Sequence, residues 1–297
     1  MKKREKYLKR ALKEVSFQEG IKVAITGATG SLGKSLAYYF TKMKASVLLI
    51  GRNEKKLQAV KEELMKEGCE ISYLRMDLEN PEDVKKQVEV LKGMNIDLFY
   101  NNAGLFHQDI EIRGKYDRTF LTDYLTPIYI EIELSKVNPN IKFVNTASIS
   151  YNYYKFKKDL QGLNIKSKTK RYGFIKRLLM MESIHLQKLG VHSYLAHPGV
   201  SCTNLFSKEN KAYPKIFYVI VPPLMKMIFM SPDKACLPLL YMGGKEYPEG
   251  PYYTGPRGLF HSWGYPNLQK IKKELMNEKD VNYLHEETMK MIEDCYL

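Results

Sequence analysis

The chain has 297 residues, of which 44% are apolar, and a formal net charge of +14. This length and apolar content suit one large globular domain with extensions. The four cysteines lack the spacing of a disulfide framework or a metal site, and no apolar run reaches the length of a membrane span. We therefore expect no metal, no transmembrane segment and, since the basic N-terminus lacks the apolar core of a secretory signal, a cytoplasmic location.

The positive charge is concentrated in two places, the N-terminus and residues 155–177. Such density brings nucleic acid and anionic membrane surfaces into consideration as partners. No zinc finger, helix-turn-helix or aromatic-basic RNA signature accompanies the charge. We expect a solvated basic surface that attracts an anionic cofactor, and no nucleic-acid partner.

Short β-prone runs alternate with longer helical patterns along most of the chain, which is typical of a parallel sheet covered on both faces. The predicted strands are 22–26, 46–50, 70–76, 96–100, 142–146 and 192–196. The predicted helices are 3–15, 32–43, 54–67, 81–92, 116–137 and 171–189. The pattern predicts an α/β fold: a single doubly wound Rossmann-type domain, with a parallel sheet flanked by helices on both faces and a ligand along the carboxyl ends of the strands.

We expect three regions along the chain: a basic N-terminal extension over 1–19, the main domain over 20–265, and a C-terminal helical extension over 266–297 whose helix starts near Leu268. Within the main domain, residues 200–230 are expected to form a substrate lid, because their prolines, aromatics and methionines suit the lining of an apolar pocket. A packed helix over the core, or contact with a membrane surface, fits the same composition.

A glycine-rich turn, TGATGSLG, follows the first predicted strand over residues 26–33. A turn that joins a strand to a helix aims backbone N–H groups and a positive helix end at an anion. The spacing of Gly27, Gly30 and Gly33 favours a dinucleotide. A nucleoside-triphosphate loop stays open as an alternative, because the Lys-Ser pair that follows nearly completes that pattern, with Ala28 where glycine is required.

The second predicted strand is followed by Gly51-Arg52-Asn53, where a dinucleotide fold meets the adenosine ribose. An acidic residue there would accept from the 2′-hydroxyl, whereas the guanidinium of Arg52 suits a 2′-phosphate. The sequence therefore favours NADP(H), with NAD(H) as the less favoured cofactor.

Tyr172 and Lys176 are spaced four residues apart in a predicted helix, so they share a face. A phenol titrates near pH 10, and a neighbouring cation favours its ionised form. Ser148, just past the fifth predicted strand, is placed to hydrogen-bond a substrate oxygen while Tyr172 exchanges a proton.

With these residues in order, the chain resembles the short-chain dehydrogenase/reductase family over about residues 20–265, and most resembles its retinol-dehydrogenase-type members. The matching motifs are Thr26 to Gly33, Asp77-Leu78, Asn101-Asn102-Ala103-Gly104, Ser148, Tyr172-Gly-Phe-Ile-Lys176, and His197-Pro198-Gly199-Val200 followed by Thr203. The resemblance implies an NAD(P)-dependent oxidoreductase that interconverts an alcohol and a carbonyl on an apolar small molecule by hydride transfer.

The resemblance also implies a role for each matching residue. Tyr172 would act as the acid/base, Lys176 would hold the nicotinamide ribose and lower the pKa of that tyrosine, and Ser148 would orient the substrate. The implied cofactor-binding residues are Gly27, Thr29, Gly30, Ser31, Leu32, Gly33, Arg52, Asn53, Asp77, Leu78, Asn102, Ala103, Gly104, Tyr172, Lys176, Pro198, Val200 and Thr203.

The chain departs from the family at Asp123, where an asparagine commonly positions a water for proton relay. A carboxylate accepts hydrogen bonds from Lys176 or a water but cannot donate as an amide does, and it adds negative charge. Asp123 therefore joins the three other predicted catalytic residues. An NADP(H)-binding sensor or scaffold with little turnover is the alternative function, and a homo-oligomer and a peripheral membrane contact stay open.

Overall fold

The computed structural model describes residues 2–65, 68–106, 108–199, 230–245, 252–258 and 262–297, without the side chains of residues 2 and 3. Two of the predicted cofactor contacts, Val200 and Thr203, lie outside the described residues. The same holds for residues 200–229 of the predicted substrate lid.

Ten strands lie in the part of the chain that the structure describes, and eight of them form one sheet. In chain order they are β1 (Lys22–Thr26), β2 (Ser46–Gly51), β3 (Ile71–Arg75), β4 (Leu98–Asn101), β5 (Ile112–Arg113), β6 (Tyr116–Asp117), β7 (Lys142–Thr146), β8 (Ser193–Ala196), β9 (Tyr252–Pro256) and β10 (Pro266–Lys270). The main sheet has the order β10-β9-β8-β7-β4-β1-β2-β3, with β5 and β6 forming a separate hairpin.

The main sheet is parallel except for its edge strand β10, which runs antiparallel to β9. The chain starts in the middle of the sheet at β1, extends to β3 at one edge, and then returns to β4 on the other side of β1. The connections that follow β1 and β4 therefore diverge in opposite directions. The carboxyl ends of β1 and β4 form the crevice in which ligands of such sheets bind.

Helices cover both faces of the sheet, as the alternating pattern predicted. They are α1 (Lys2–Glu14), α2 (Ser31–Lys42), α3 (Glu54–Met65), α4 (Pro81–Lys92), α5 (Arg118–Phe120), α6 (Thr126–Val137), α7 (Lys168–Lys188), α8 (Pro232–Ala235), α9 (Leu237–Gly244) and α10 (Glu278–Tyr296). One apolar core lies beneath α4, α6, α7 and α10, and the other beneath α1, α2, α3 and α9. The predicted doubly wound α/β fold is confirmed. None of the helices in the described ranges is long and apolar enough to cross a membrane.

The predicted continuous helix over 116–137 is wrong at its start and in its middle. Tyr116–Asp117 pairs with β5, and the Asp117 carboxylate then accepts from the backbone N–H groups of Thr119 and Phe120, which starts the helix at α5. Residues Leu121–Leu125 form a π-helical turn before α6 begins. Single π turns interrupt α-helices mainly at functional sites, and this one contains Asp123.

The tail differs from the predicted helix that starts near Leu268. Pro266–Lys270 instead forms the edge strand β10, and the tail helix α10 starts only after Asn277, whose side chain accepts from the backbone N–H of Asp280. The α10 helix packs on α4, α7 and the π turn. Two of its hydroxyls reach the turn region: Thr288 lies 2.5 Å from the Tyr124 hydroxyl, and Tyr296 lies 2.6 Å from Thr126 Oγ1.

Candidate functional site

The glycine-rich turn after β1 is packed so closely that a side chain at Gly27 or Gly33 would meet neighbouring backbone. Gly27 has a φ of +65°, and a Cβ there would lie 2.9 Å from the Cα of Ala103. A Cβ on Gly33 would lie 2.5 Å from the carbonyl oxygen of Gly27. Gly30 caps α2, and no side-chain hydrogen bond is made at that cap. These features leave the backbone of the turn open to an anion.

The turn after β4 is fastened to the end of β1. Thr26 Oγ1 accepts from the backbone N–H groups of Asn102 and Ala103, at 3.0 and 3.1 Å, and the Asn102 side-chain amide donates to the Thr26 carbonyl at 2.8 Å. The Oδ1 atom of Asn102 is buried and has no hydrogen-bond partner among the described residues. A buried acceptor of this kind fits a ligand hydroxyl or N–H group. The two turns, their tight glycines and this acceptor fit a dinucleotide.

Arg52 lies at the carboxyl end of β2, beside the segment that follows β3. Its Nη1 is 2.7 Å from Glu79 Oε1, and its side chain keeps 59% of its surface exposed, whereas that of Glu79 keeps 9%. Arg118 contacts the same carboxylate oxygen at 2.7 Å. Because Arg118 also offsets the charge of Glu79, the exposed guanidinium of Arg52 remains available to a second anion.

The other residues expected at the adenosine half lie at the same edge. Asn53 caps α3 by accepting from the Lys56 N–H at 2.9 Å. Asp77 Oδ1 accepts from the Glu79 N–H at 3.1 Å, and the Leu78 carbonyl accepts from the Thr126 hydroxyl at 3.0 Å. The structure thus brings the predicted adenosine contacts together, and it shows that Asn53 and Asp77 also hold local backbone.

A buried ion pair lies deeper in the crevice, between Lys176 on α7 and Asp123 on the π turn. Lys176 Nζ is 2.8 Å from Asp123 Oδ1, and the other carboxylate oxygen accepts from the Leu105 N–H at 2.7 Å. Burial raises the pKa of Asp123 despite the nearby lysine. Burial opposes the charge of Lys176, but Asp123 outweighs it and raises the pKa of that ammonium. Gly104 completes the enclosure, since a Cβ there would lie 2.7 Å from Asp123 Oδ1.

Tyr172 and Ser148 meet beside this ion pair. Burial raises the pKa of the Tyr172 phenol, while the positive charge of Lys176 and a hydrogen bond with the Ser148 side chain act in the opposite direction. The ammonium of Lys176 lies 5.8 Å from the centre of the tyrosine ring. The structure therefore brings together all four residues that we predicted to be catalytic. The net pKa shift of Tyr172 is upward, because burial and the negative charge of Asp123 outweigh the lowering by Lys176 and Ser148.

The loop after β8 reaches the same end of the sheet. The His197 N–H donates to the Thr254 carbonyl at 2.7 Å, which aligns the loop with β9. Gly199 has a φ of +78°, and a Cβ there would lie 2.4 Å from Met230 Cε and 2.7 Å from Pro256 Cγ. Pro198, a predicted nicotinamide contact, lies in the chain between His197 and Gly199, whose positions these contacts fix.

Three residues with a role at the site were not singled out from the sequence. Glu79 holds Arg52, and Phe106 packs edge-on against the Tyr172 ring with centroids 4.9 Å apart. Gly173 lets α7 approach the segment after Ser148, because a Cβ there would lie 2.2 Å from the Ser150 carbonyl oxygen. Only Gly173 had a usable signal, since glycine inside a helix costs about 1 kcal/mol and calls for a packing reason.

Comparisons with known proteins agree with this geometry. A family model described as short chain dehydrogenase matches residues 22–124, from β1 into the π turn. An uncharacterized oxidoreductase of Schizosaccharomyces pombe is 28% identical over 267 residues, which cover 80% of this chain and 78% of that protein.

Two solved structures are similar in fold. A putative uncharacterized protein from Mycobacterium Paratuberculosis superposes with a TM-score of 0.71 at 20% identity, covering 94% of this chain and 97% of that one. A short-chain dehydrogenase from Sphingobium yanoikuyae in complex with NADPH gives a TM-score of 0.56 at 18% identity, with 74% and 82% covered.

Proposed function

Because the chain belongs to the short-chain dehydrogenase/reductase family of NAD(P)-dependent oxidoreductases, we propose that it interconverts an alcohol and a carbonyl on an apolar small molecule, with NADP(H) as cofactor and Tyr172 as acid/base. One observation carries the proposal: Tyr172 lies beside the buried Lys176–Asp123 pair and close enough to Ser148 for that side chain to act on its pKa, at the sheet edge where the glycine-rich turn follows β1.

The cofactor would lie along the carboxyl ends of the strands. The turns at residues 26–33 and 101–104 would hold the pyrophosphate and the adjoining ribose, and Arg52 would bind the 2′-phosphate. The preference for NADP(H) is supported by the exposed guanidinium of Arg52 and by the NADPH found in the structure of the Sphingobium yanoikuyae protein. When bound, the nicotinamide supplies or accepts the hydride.

The side chains of the protein carry out the proton transfer that accompanies the hydride transfer. In the reducing direction Tyr172 donates its phenolic proton to the carbonyl oxygen of the substrate, and in the oxidising direction the phenolate accepts the alcohol proton. The charged Lys176 stabilises the phenolate, and Asp123 keeps that lysine protonated. Ser148 donates a hydrogen bond to the substrate oxygen and so orients it.

The test is a screen for NADPH oxidation across aldehydes, ketones and quinones, followed by the Tyr172→Phe variant on any substrate found. Removal of a general acid should lower turnover by roughly 10²–10⁴-fold while NADPH still binds. Tyr153→Phe is the matched control, because Tyr153 is an exposed tyrosine on the short helix next to Ser148. Turnover that survives Tyr172→Phe would rule out this mechanism.

A sensor that binds NADP(H) with little turnover is the second candidate, and one observation favours it. Asp123 pairs its carboxylate with the Lys176 ammonium, which leaves that ammonium less able to stabilise a phenolate. Tight NADPH binding with no turnover on any carbonyl of the screen would support the sensor over the enzyme.

We also propose a cytoplasmic location. Its support is that no disulfide bond joins the three cysteines within the described ranges, as expected in a reducing compartment.

A further inference from the structure

The N-terminal helix α1 is joined to the segment 230–245 at several points. Arg4 Nε lies 3.0 Å from Asp233 Oδ1, and Lys245 Nζ donates to Glu14 Oε2 at 3.2 Å. The Ser16 N–H donates to the Gly244 carbonyl at 3.2 Å. These contacts span the whole length of α1, so the helix is a fixed part of the domain.

Asp233 also joins α1 to α2, the helix that begins at the glycine-rich turn. Its Oδ1 accepts from the Ser35 hydroxyl at 2.8 Å, and its backbone carbonyl accepts from the Tyr39 hydroxyl at 2.9 Å. The Arg4 guanidinium stacks over the ring of Tyr38, 3.5 Å from its centre. Asp233 therefore joins α8 to both α1 and α2.

The same segment reaches the predicted nicotinamide side of the site. Met230 lies three residues before Asp233, and its methyl group is so close to Gly199 that a Cβ on the glycine would lie 2.4 Å from it. Gly199 follows Pro198, a predicted nicotinamide contact. A short path thus runs from Arg4 to Asp233 by a contact, from Asp233 to Met230 along three residues of chain, and from Met230 to Gly199 by a second contact.

We propose that α1 positions the start of the loop after β8, residues 197–199, through the Arg4–Asp233 ion pair. Arg4 and Asp233 are then positioning residues for the bound cofactor. The inference rests on the proposed NADP(H) function. The two side chains of the pair keep 30% and 27% of their surface exposed, and a pair of this exposure adds little to global stability. Its effect is instead to fix the position of the segment 230–245, whose Met230 contacts Gly199.

The test compares two probes that share the adenosine half of the cofactor, NADPH and 2′,5′-ADP, in binding titrations of the full chain. Arg4→Gln and Asp233→Asn should each weaken NADPH binding by roughly twofold to fivefold, the worth of one partly exposed ion pair, and leave 2′,5′-ADP unchanged. Arg4→Lys keeps the charge and should restore most of the affinity for NADPH. Lys9→Gln is the matched control, since it removes an exposed charge from the same helix.

The outcomes separate the inference from the proposed function. Equal losses for the two probes, or no loss for either, would overturn the positioning role while leaving NADP(H) binding intact. If the wild-type chain binds 2′,5′-ADP and NADPH no better than unrelated anions, the proposed function fails and the positioning role fails with it. A selective loss for NADPH, recovered by Arg4→Lys, supports the inference.

Discussion

The ammonium of Lys176 lies 2.8 Å from the carboxylate of Asp123, and both side chains are almost fully buried. Two opposite charges in contact form a nearly neutral unit when seen from a neighbouring group. Tyr172 therefore faces an ion pair in place of a lone cation, and the negative partner adds to the burial that raises its pKa.

The first prediction concerns the charge of Asp123. Asp123→Asn removes the anion that disfavours the Tyr172 phenolate, so the pKa of the phenol should fall. Because alcohol oxidation requires the phenolate, the rising limb of kcat/KM against pH should move to lower pH. The check is the pH profile of alcohol oxidation, with Asp109→Asn as control because Asp109 is an exposed aspartate paired with a surface lysine. An unmoved profile would show that Asp123 does not act on Tyr172.

The same variant should lose stability. In the wild type, the Leu105 N–H donates to Asp123 Oδ2, and Oδ1 faces the Lys176 ammonium. An asparagine has only one side-chain oxygen, so its NH₂ group would face either the Leu105 N–H or the Lys176 ammonium, both of which are donors. A buried donor left without an acceptor costs about 1–3 kcal/mol. Urea unfolding of wild type and variant measures this loss.

The second prediction concerns cofactor choice. Arg52→Gln should weaken NADPH by roughly 10–100-fold, the worth of a charge-assisted hydrogen bond to phosphate, and leave NADH nearly unchanged. Binding titrations with the two cofactors measure the ratio. Lys61→Gln on α3 removes the same charge away from Glu79 and should affect both cofactors equally. Equal losses for both cofactors in Arg52→Gln would contradict the assignment.

The sequence was sufficient to predict most of the parallel sheet, because each strand from β1 to β8 in the main sheet is a local β-prone or apolar run. It did not predict β9 and β10: Tyr252–Pro256 contains glycine and proline, and Pro266–Lys270 is mostly polar. Pairing makes them strands, β9 against the distant β8 and β10 against β9. The π turn also escaped prediction, since an apolar helix pattern does not reveal one added residue.

At the site, too, some features could be predicted from the sequence and others could not. The motifs that end β1, β2, β4 and β7 could be placed at one edge of the sheet from topology alone. The contacts between side chains could not. Glu79 meets Arg52 across 27 residues of chain, and this depends on the register of β2 against β3, which no local pattern contains.

The third prediction concerns the glycine-rich turn. Gly33→Ala places a Cβ 2.5 Å from the Gly27 carbonyl oxygen and 2.8 Å from the Asn102 amide, so the turn must move. Overpacking of this kind costs about 1–3 kcal/mol and should also weaken cofactor binding. Thermal unfolding and NADPH titration test both effects. Gly93→Ala is the control, because its Cβ would meet its nearest neighbour at an ordinary 3.6 Å.

The fourth prediction concerns Glu131, which is fully buried and accepts from the Asn101 and Asn145 amides at 3.0 and 2.6 Å. Burial raises the pKa of Glu131 from 4.5 to about 7. Between these two values the unfolded chain has lost this proton while the native state keeps it, so the free energy of unfolding should fall with rising pH, by about 3 kcal/mol in all.

Glu131→Gln removes this titration, and the pH dependence should become flatter by that amount. Urea unfolding of wild type and variant at pH 5, 6, 7 and 8 gives the comparison. Glu62→Gln, an exposed substitution of the same type, should follow the wild type. Parallel curves for wild type and Glu131→Gln would show that the carboxyl group is ionised in both states.

The hydrogen bonds from α10 to the π-turn region bear on the order in which the site can form during synthesis. Tyr124 meets Thr288 across 164 residues, and Thr126 meets Tyr296 across 170. Contacts of such sequence separation form late, because a long stretch of chain must be closed before they contribute. Tyr124 and Thr126, which follow Asp123 by one and three residues, are thus secured by a segment that is synthesised much later, and a nascent chain still lacking α10 would carry the Asp123 carboxylate on a turn without these two hydroxyl partners.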